Sequence, residues 1–311
     1  MFGSVVLELF IGVTFLFLVL SLAVTTAQEL IAGLLGLRSG NLILAIRNLL
    51  DDEKGGLVSE VFDHPTMRRL YRGKVKRRLG GYLANGPSYV PSNVFSTALL
   101  DTLRVRNTSG QAQPVSIEDL FGMAPEIVRE MPNGSLKRAL TLMIGQVSDP
   151  DRPLTRRIET VEQRLSQWYD EAMHRASGWY KRKSQAISLI LSVAIVVAVN
   201  ANALTYMETL WKDASLREAI VASAEAAAAA AQPLNPDATE VLDQIGQFPI
   251  GWANEQSLAT VFQDPLAILK TLAGWAITVL AISLGAAFWF DLTKKALALR
   301  ASGPKPSDTA T

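Results

Sequence analysis

Three apolar stretches, residues 4–26, 186–205 and 268–290, constrain this chain more than any other feature. Each matches the roughly 20 apolar residues that a helix needs to cross the hydrocarbon core of a bilayer. Every other segment is therefore read relative to a membrane. The first stretch does not read as a cleaved signal: Met1–Leu7 carries no Lys or Arg, and the apolar run continues without a break into Gln28–Leu37. It is expected to be a retained helix.

Charge gives the expected orientation. The net charge is only +1, so nothing draws the whole chain to nucleic acid or to anionic surfaces. Its distribution is uneven. Of the 30 Lys and Arg, only Lys212, Arg217 and Lys270 fall within 206–270, and the others lie in 27–184 or after 290. Loops rich in Lys and Arg near span ends face the cytoplasm. The expectation is an N-terminus outside, a large cytoplasmic region, a smaller outer loop and a cytoplasmic C-terminus. Interface anchors agree: Trp179, Tyr180, Lys181, Arg182 and Lys183 precede the second span, Trp211 follows it, and Trp289 marks the inner end of the third.

Between the spans the pattern is helical. Ser39 is a plausible cap for a helix over Asn41–Leu50. Asp63-His64-Pro65 ends one helix and opens another, giving His64 a role at a helix terminus. Residues 68–78 hold Arg68, Arg69, Arg72, Lys74, Lys76, Arg77 and Arg78, a candidate site for anionic lipid headgroups. Nucleic acid is disfavoured there, because only Tyr71 and Tyr82 offer stacking platforms. Pro91 or Ser92 opens a helix with Val94, Phe95, Ala98, Leu99 and Leu103 towards one face. A capping box at Ser116-Ile117-Glu118-Asp119, a start at Pro125 and a Ser135 cap before Leu136–Val147 complete a short-helix domain. From Pro153, Ile158, Val161, Leu165, Trp168, Ala172, Arg175 and Trp179 recur at spacings of three and four. That seam serves a coiled coil or packing on its own domain equally well.

The spans are poor in polar groups. Glu8, Asn200 and Asn202 are the intramembrane polar candidates; an Asn can bond between membrane helices, and Glu8 can face a partner helix or reach the headgroups. The outer loop carries a capping box, Ser215-Leu216-Arg217-Glu218, and an alanine run to Ala231. Residues 248–265 read as an apolar surface on the outer membrane face. Gly274 and Gly285 are expected to let helices approach closely in the third span.

The motifs that would announce chemistry are missing. There is no phosphate-binding glycine loop, nucleophile elbow or paired-histidine zinc motif. With no Cys there is neither disulfide nor thiolate site, and no metal or cofactor is called for. No catalytic residue is assigned.

Four blocks carry a resemblance: Asp63-His64-Pro65; Pro87-Ser88-Tyr89-Val90-Pro91 with Phe95 and Ala98-Leu99-Leu100-Asp101; Ser177-Gly178-Trp179-Tyr180-Lys181-Arg182-Lys183; and Gly285-Ala286-Ala287-Phe288-Trp289-Phe290-Asp291-Leu292. With them the chain resembles a family of uncharacterised bacterial inner-membrane proteins. The resemblance implies that location and no activity, so no residue role is carried over. The three-span topology is also similar to that of proton-channel subunits, but the third span lacks their buried carboxylate.

The expected fold is all-α, a three-span transmembrane protein with a helical cytoplasmic domain and a small helical extracytoplasmic loop domain. Its expected segments are a first transmembrane helix with its extension (1–37), a cytoplasmic domain (38–152), a long helix running into the second span (153–206), an outer loop (207–267), the third span (268–291) and a cytoplasmic tail (292–311). The expected role is a scaffold or anchor in the bacterial inner membrane. Its partners would be the lipid bilayer with its anionic headgroups, a protein on the cytoplasmic side and, as a further option, a second copy of itself. The alternative is an oligomeric channel or transport subunit.

Overall fold

The computed structural model describes residues 2–54, 56–71, 86–107, 128–129, 131, 134–145, 153–229, 238–252 and 265–301. Among them all regular structure is helical and no strand occurs. The chain divides into two units, one formed by Met1–Ile31 with Ser184–Thr311, the other by Ala32–Lys183.

The first unit is organised around α1, Phe2–Leu34. No charged residue interrupts α1 between Glu8 and Glu29. Thr14 and Thr25 return their hydroxyls to the Ile11 and Ser21 carbonyls, so the helix carries little unmet polarity. A helix apolar on all sides belongs either in a protein interior or in lipid. Here it is enclosed: Ile11, Leu16, Val19 and Leu20 are fully buried although they point in different directions. Around it lie the Ser184–Ala198 part of α7 (Leu154–Ala198), then α8 (Ala203–Lys212), α9 (Ala214–Ala229), α10 (Ala238–Ile245), α11 (Pro265–Ile282) and α12 (Ala286–Ala301).

Two helices, α1 and α11, are long and apolar enough to cross a membrane, and a third crossing results if α7 and α8, bent by 48° to each other, count as one span. The burial of the two differs. In α1, 61% of the most apolar window is buried in the protein, against 17% in α11. Helix α11 therefore offers Leu266, Leu269, Leu272, Ile277 and Leu280 outward. Leaving five such side chains in water would forgo roughly 1.5–3 kcal/mol each. An apolar stripe of this size is a mark of a membrane protein.

Helix ends depart from the sequence expectations for identifiable reasons. Helix α1 stops at Leu34 because Gly36 takes a left-handed φ of 58°, the common glycine exit from a helix. Ser39 is not a cap; it lies inside α2 (Leu37–Leu49) and donates to the Gly36 carbonyl. The second apolar stretch does not continue to residue 205: α7 ends at Ala198 and Asn200 adopts a φ of 46°. The third does not run to 290, because Gly285 at φ 89° follows the end of α11. Nothing lies within 4 Å of a Cβ built on Gly285, so this glycine makes a turn and not a close helix contact. In place of a tail from residue 292, α12 runs to Ala301 and packs on α1 and α9.

The second unit contains α2, α3 (Gly56–Asp63), α4 (Pro65–Arg68), α5 (Ser92–Asn107), α6 (Ser135–Gly145) and the first part of α7. The predicted apolar face of α5 forms its core: Phe95, Ala98 and Leu99 are fully buried. Phe95 stacks on Tyr169 of α7 at 4.4 Å, and the Tyr169 hydroxyl donates to Val90 O at 3.1 Å. Burial pushes that phenol above its ordinary range. The seam on α7 thus serves its own unit, with Val161, Leu165 and Tyr169 as the buried line and Trp179 outside it. The helix starts expected at Ser116 and Pro125 fall outside the described residues. Helix α6 begins at Ser135 as expected, but its cap comes from afar. The Asp51 carboxylate, on a residue with φ 49°, accepts from both the Ser135 amide and its hydroxyl. Those bonds hold the Asp51 carboxyl below its ordinary pKa, the Ser135 hydroxyl contributing most.

Candidate functional site

A broken membrane helix exposes backbone groups that must find partners within the protein. The break between α7 and α8 finds them on α11 and on the residues before it. Asn202 caps α8 by accepting from the Leu204 and Thr205 amides at 3.0 and 3.2 Å, and donates to Thr271 O at 3.4 Å. Thr278 Oγ1 accepts from the Ala203 amide at 3.1 Å and lies 2.8 Å from Ala201 O and 2.9 Å from Gly274 O. Asn200 donates to Gly251 O and accepts from Trp275 Nε1, both at 3.0 Å. Both asparagines therefore bond between elements as expected, and they also make the break. Gly274 is the true close approach, since a Cβ there would overlap the Asn202 side-chain amide. Trp252 donates to Val197 O at 3.0 Å, and Phe248 is buried against Phe15 at 5.5 Å. In the described part of 248–265, Phe248 and Trp252 thus make their contacts within the protein.

The second polar constellation gathers four charges. Glu8 Oε2 accepts from Arg217 Nε at 3.1 Å, while Arg217 Nη1 donates to Leu210 O at 2.9 Å. Arg300 reaches the other Glu8 oxygen at 3.7 Å and Glu225 at 2.7 Å. Helices α1, α9 and α12 are thereby joined by two cations and two anions. The Arg217 side chain is only 8% exposed, which makes the match necessary. Glu8 faces a partner helix, one of its two expected roles. The capping box at Ser215 is not used, because Asp213 Oδ1 caps α9 through the Leu216 amide and the Ser215 hydroxyl.

The interface candidates separate. Trp179, Lys181, Arg182 and Lys183 are exposed on α7, and Tyr180 is partly covered. Trp289 is not an interface anchor: it is 8% exposed, stacks obliquely on Phe17 at 4.8 Å and donates to Ala281 O at 2.7 Å across the Gly285 turn. In the basic segment, Arg68 pairs with Asp63 at 2.9 Å and Arg69 is exposed. Arg72, Lys74, Lys76, Arg77 and Arg78 lie outside the described residues.

In the second unit His64 caps α4, accepting at Nδ1 from the Thr66 amide, as its place before Pro65 suggested. Its Nε2 lies 3.1 Å from Asp101, which also binds Arg104 at 2.6 Å. An apolar hollow of about 410 Å³ is lined by Ser135, Arg138, Ala139, Leu142, Met143 and Trp168. Leu142 on its wall is 65% exposed. Among the described residues no group of three His, Cys, Asp or Glu could hold a metal.

The bonds made by Arg217, Arg300 and Thr278 escaped the sequence reading. One signal was available: Arg217 is one of only three basic residues in 206–270, and a lone cation beside an alanine-rich helix asks for a partner. No family model matches this chain, and neither a curated protein nor a solved structure matches it.

Proposed function

We propose that this protein is a membrane anchor that presents a helical docking unit. The carrying observation is the inserted unit Ala32–Lys183, which has its own core and is entered from α1 and left through α7. The four-charge cluster and the capped helix break both match their polar groups internally, which suits an anchor. The membrane crossings in this reading are α1, the bent pair α7–α8 and α11, with α12 turning back through the bilayer along α1. In this reading the inserted unit lies on the cytoplasmic side of a bacterial inner membrane, which the exposed Lys181, Arg182 and Lys183 and the other basic residues of 27–184 support. The resemblance of four sequence blocks to bacterial inner-membrane proteins agrees with that location. Helix α12 returns towards Glu8, so residue 301 belongs to the N-terminal side and not to the cytoplasm.

The docking surface is the hollow between α6 and α7, where Leu142 and Trp168 offer apolar contact and Arg138 a charge. The test is purification from mild detergent, comparing wild type with Leu142→Asp. One protein that co-purifies in fixed ratio with wild type and is lost from the variant supports the reading. No such protein under any solubilising condition refutes it.

A transport subunit is the second reading, favoured by the broken helix, because discontinuous helices are common at substrate sites of transporters. Ion flux into liposomes that falls in Asn200→Ala and Asn202→Ala would support it. Liposomes with no flux would dismiss it.

A further inference from the structure

The hollow between α6 and α7 is apolar with one exception. Ala139, Leu142 and Met143 of α6 and Trp168 of α7 line it with carbon, and only Ser135 and Arg138 bring polar groups. Ser135 is already engaged, because its amide and its hydroxyl both donate to the Asp51 carboxylate. Arg138 is exposed, and among the described residues its guanidinium has neither an ion pair nor a hydrogen bond. Asp51 feels the Arg138 charge but is bound by Ser135 and not by the guanidinium. The neighbouring Lys137 differs, since its ammonium donates to the Arg129 and Met131 carbonyls, each at 2.9 Å. The α6 wall uses positions 135, 138, 139, 142 and 143, which is one face of a helix over about two turns, or roughly 12 Å. Leu142 stands 65% exposed at the rim, so the hollow opens to one side instead of closing around a small ligand. No strand occurs among the described residues, which removes strand addition and leaves a helix laid along the groove.

We infer that the occupant is an amphipathic helix of a protein partner, with an Asp or Glu one turn away from a large apolar residue. This rests on the hollow being the docking surface and adds the chemistry of what docks. The apolar residue enters against Leu142, Met143 and Trp168. The carboxylate meets Arg138, whose planar guanidinium is suited to two parallel bonds with it. Arg138 and Leu142 are four residues apart, so the matching groups on the partner helix lie three or four positions apart. A basic helix would be repelled by Arg138, and a wholly apolar one would cover that charge without pairing it. The single charge on an otherwise apolar wall thus selects among partners as well as orienting the one that binds.

The probe is a displayed library of helix-forming peptides with one face randomised, selected on the full chain in nanodiscs. Binders are then compared on wild type, Leu142→Asp and Arg138→Gln. Both substituted side chains are exposed, and Leu142→Ala serves where Leu142→Asp unsettles α6. Peptides that need Leu142 should carry Asp or Glu three or four positions from a large apolar residue. They should lose about tenfold in affinity on Arg138→Gln, the loss of one charge-assisted bond. A fresh selection on Arg138→Glu should enrich Lys or Arg at the same position. Leu142-dependent peptides with no acidic preference, or with unchanged affinity on Arg138→Gln, overturn the inference and leave the docking surface standing. If no peptide depends on Leu142, both fall. A wild-type dimer in nanodiscs that Leu142→Asp dissociates also overturns the inference, because the hollow then holds a second copy.

Discussion

Glu8→Ala is the most revealing single change in the first unit. It removes one carboxylate and leaves the Arg217 guanidinium, 8% exposed, with only the neutral Leu210 carbonyl at 2.9 Å. Breaking a buried pair from one side typically costs about 3–5 kcal/mol, because the remaining charge is uncompensated. Glu8 is itself 16% exposed and near a helix end, so water moderates the loss and the lower figure, about 3 kcal/mol, applies. Arg300 keeps Glu225 at 2.7 Å and adds little to the loss. Arg217→Ala should cost less, about 1–2 kcal/mol, since Glu8 keeps Arg300. Replacing both ends, Glu8→Leu with Arg217→Met, removes both desolvation costs and should come within about 1 kcal/mol of wild type. For a unit of this size 3 kcal/mol corresponds to roughly 6–12 °C in Tm. The assay is thermal unfolding in detergent followed by Trp fluorescence. A Glu8→Ala Tm within a degree of wild type would refute the burial of the pair. So would a double variant as unstable as the two single losses combined.

Three further outcomes follow from the described contacts. Thr278→Val leaves the Ala203 amide and a carbonyl without their hydroxyl partner and should cost about 1–3 kcal/mol in the same assay. Gly274→Ala forces the Asn202 amide aside, so in a double-mutant cycle it should cost clearly less in an Asn202→Ala background than in wild type; equal costs would refute the contact. The third concerns Asp51, whose carboxyl is held below its ordinary 3.8 by bonds from Ser135. A depressed pKa gives stabilisation that is complete above the unfolded value and lost as pH falls through the folded one. Amide exchange in α6 should therefore be steady from pH 7 to about 4, once corrected for its intrinsic rate, and rise at lower pH. Asp51→Ala should show the raised exchange at every pH.

What the sequence disclosed and what it hid follow from the range of the interactions. The membrane class rests on apolar composition, the buried face of α5 and the long run of α7 on periodicity, and these were legible. The end of α7 at Ala198 was not, because Asn200 holds a left-handed conformation only through bonds to Gly251 and Trp275, both far along the chain. Gly285 was read for its small size when its use is its positive φ. Asp51 reaches Ser135 across 84 residues, and Glu8 reaches Arg217 across 209, distances at which no local pattern survives. The return of α12 was hidden for the same reason. Its Trp289 read as the inner end of the third span, whereas Trp289 and Arg300 tie the helix back along α1.

The central claim, that the inserted unit lies across the membrane from the segment carrying α8 and α9, can be tested on single cysteines in this cysteine-free chain. Glu159→Cys reports on the inserted unit and Ala222→Cys on α9, both exposed positions. Intact cells are treated with a membrane-impermeant maleimide. Ala222→Cys should be labelled at once and Glu159→Cys only after the membrane is opened. Labelling of both in intact cells, or of Glu159→Cys alone, would contradict the account.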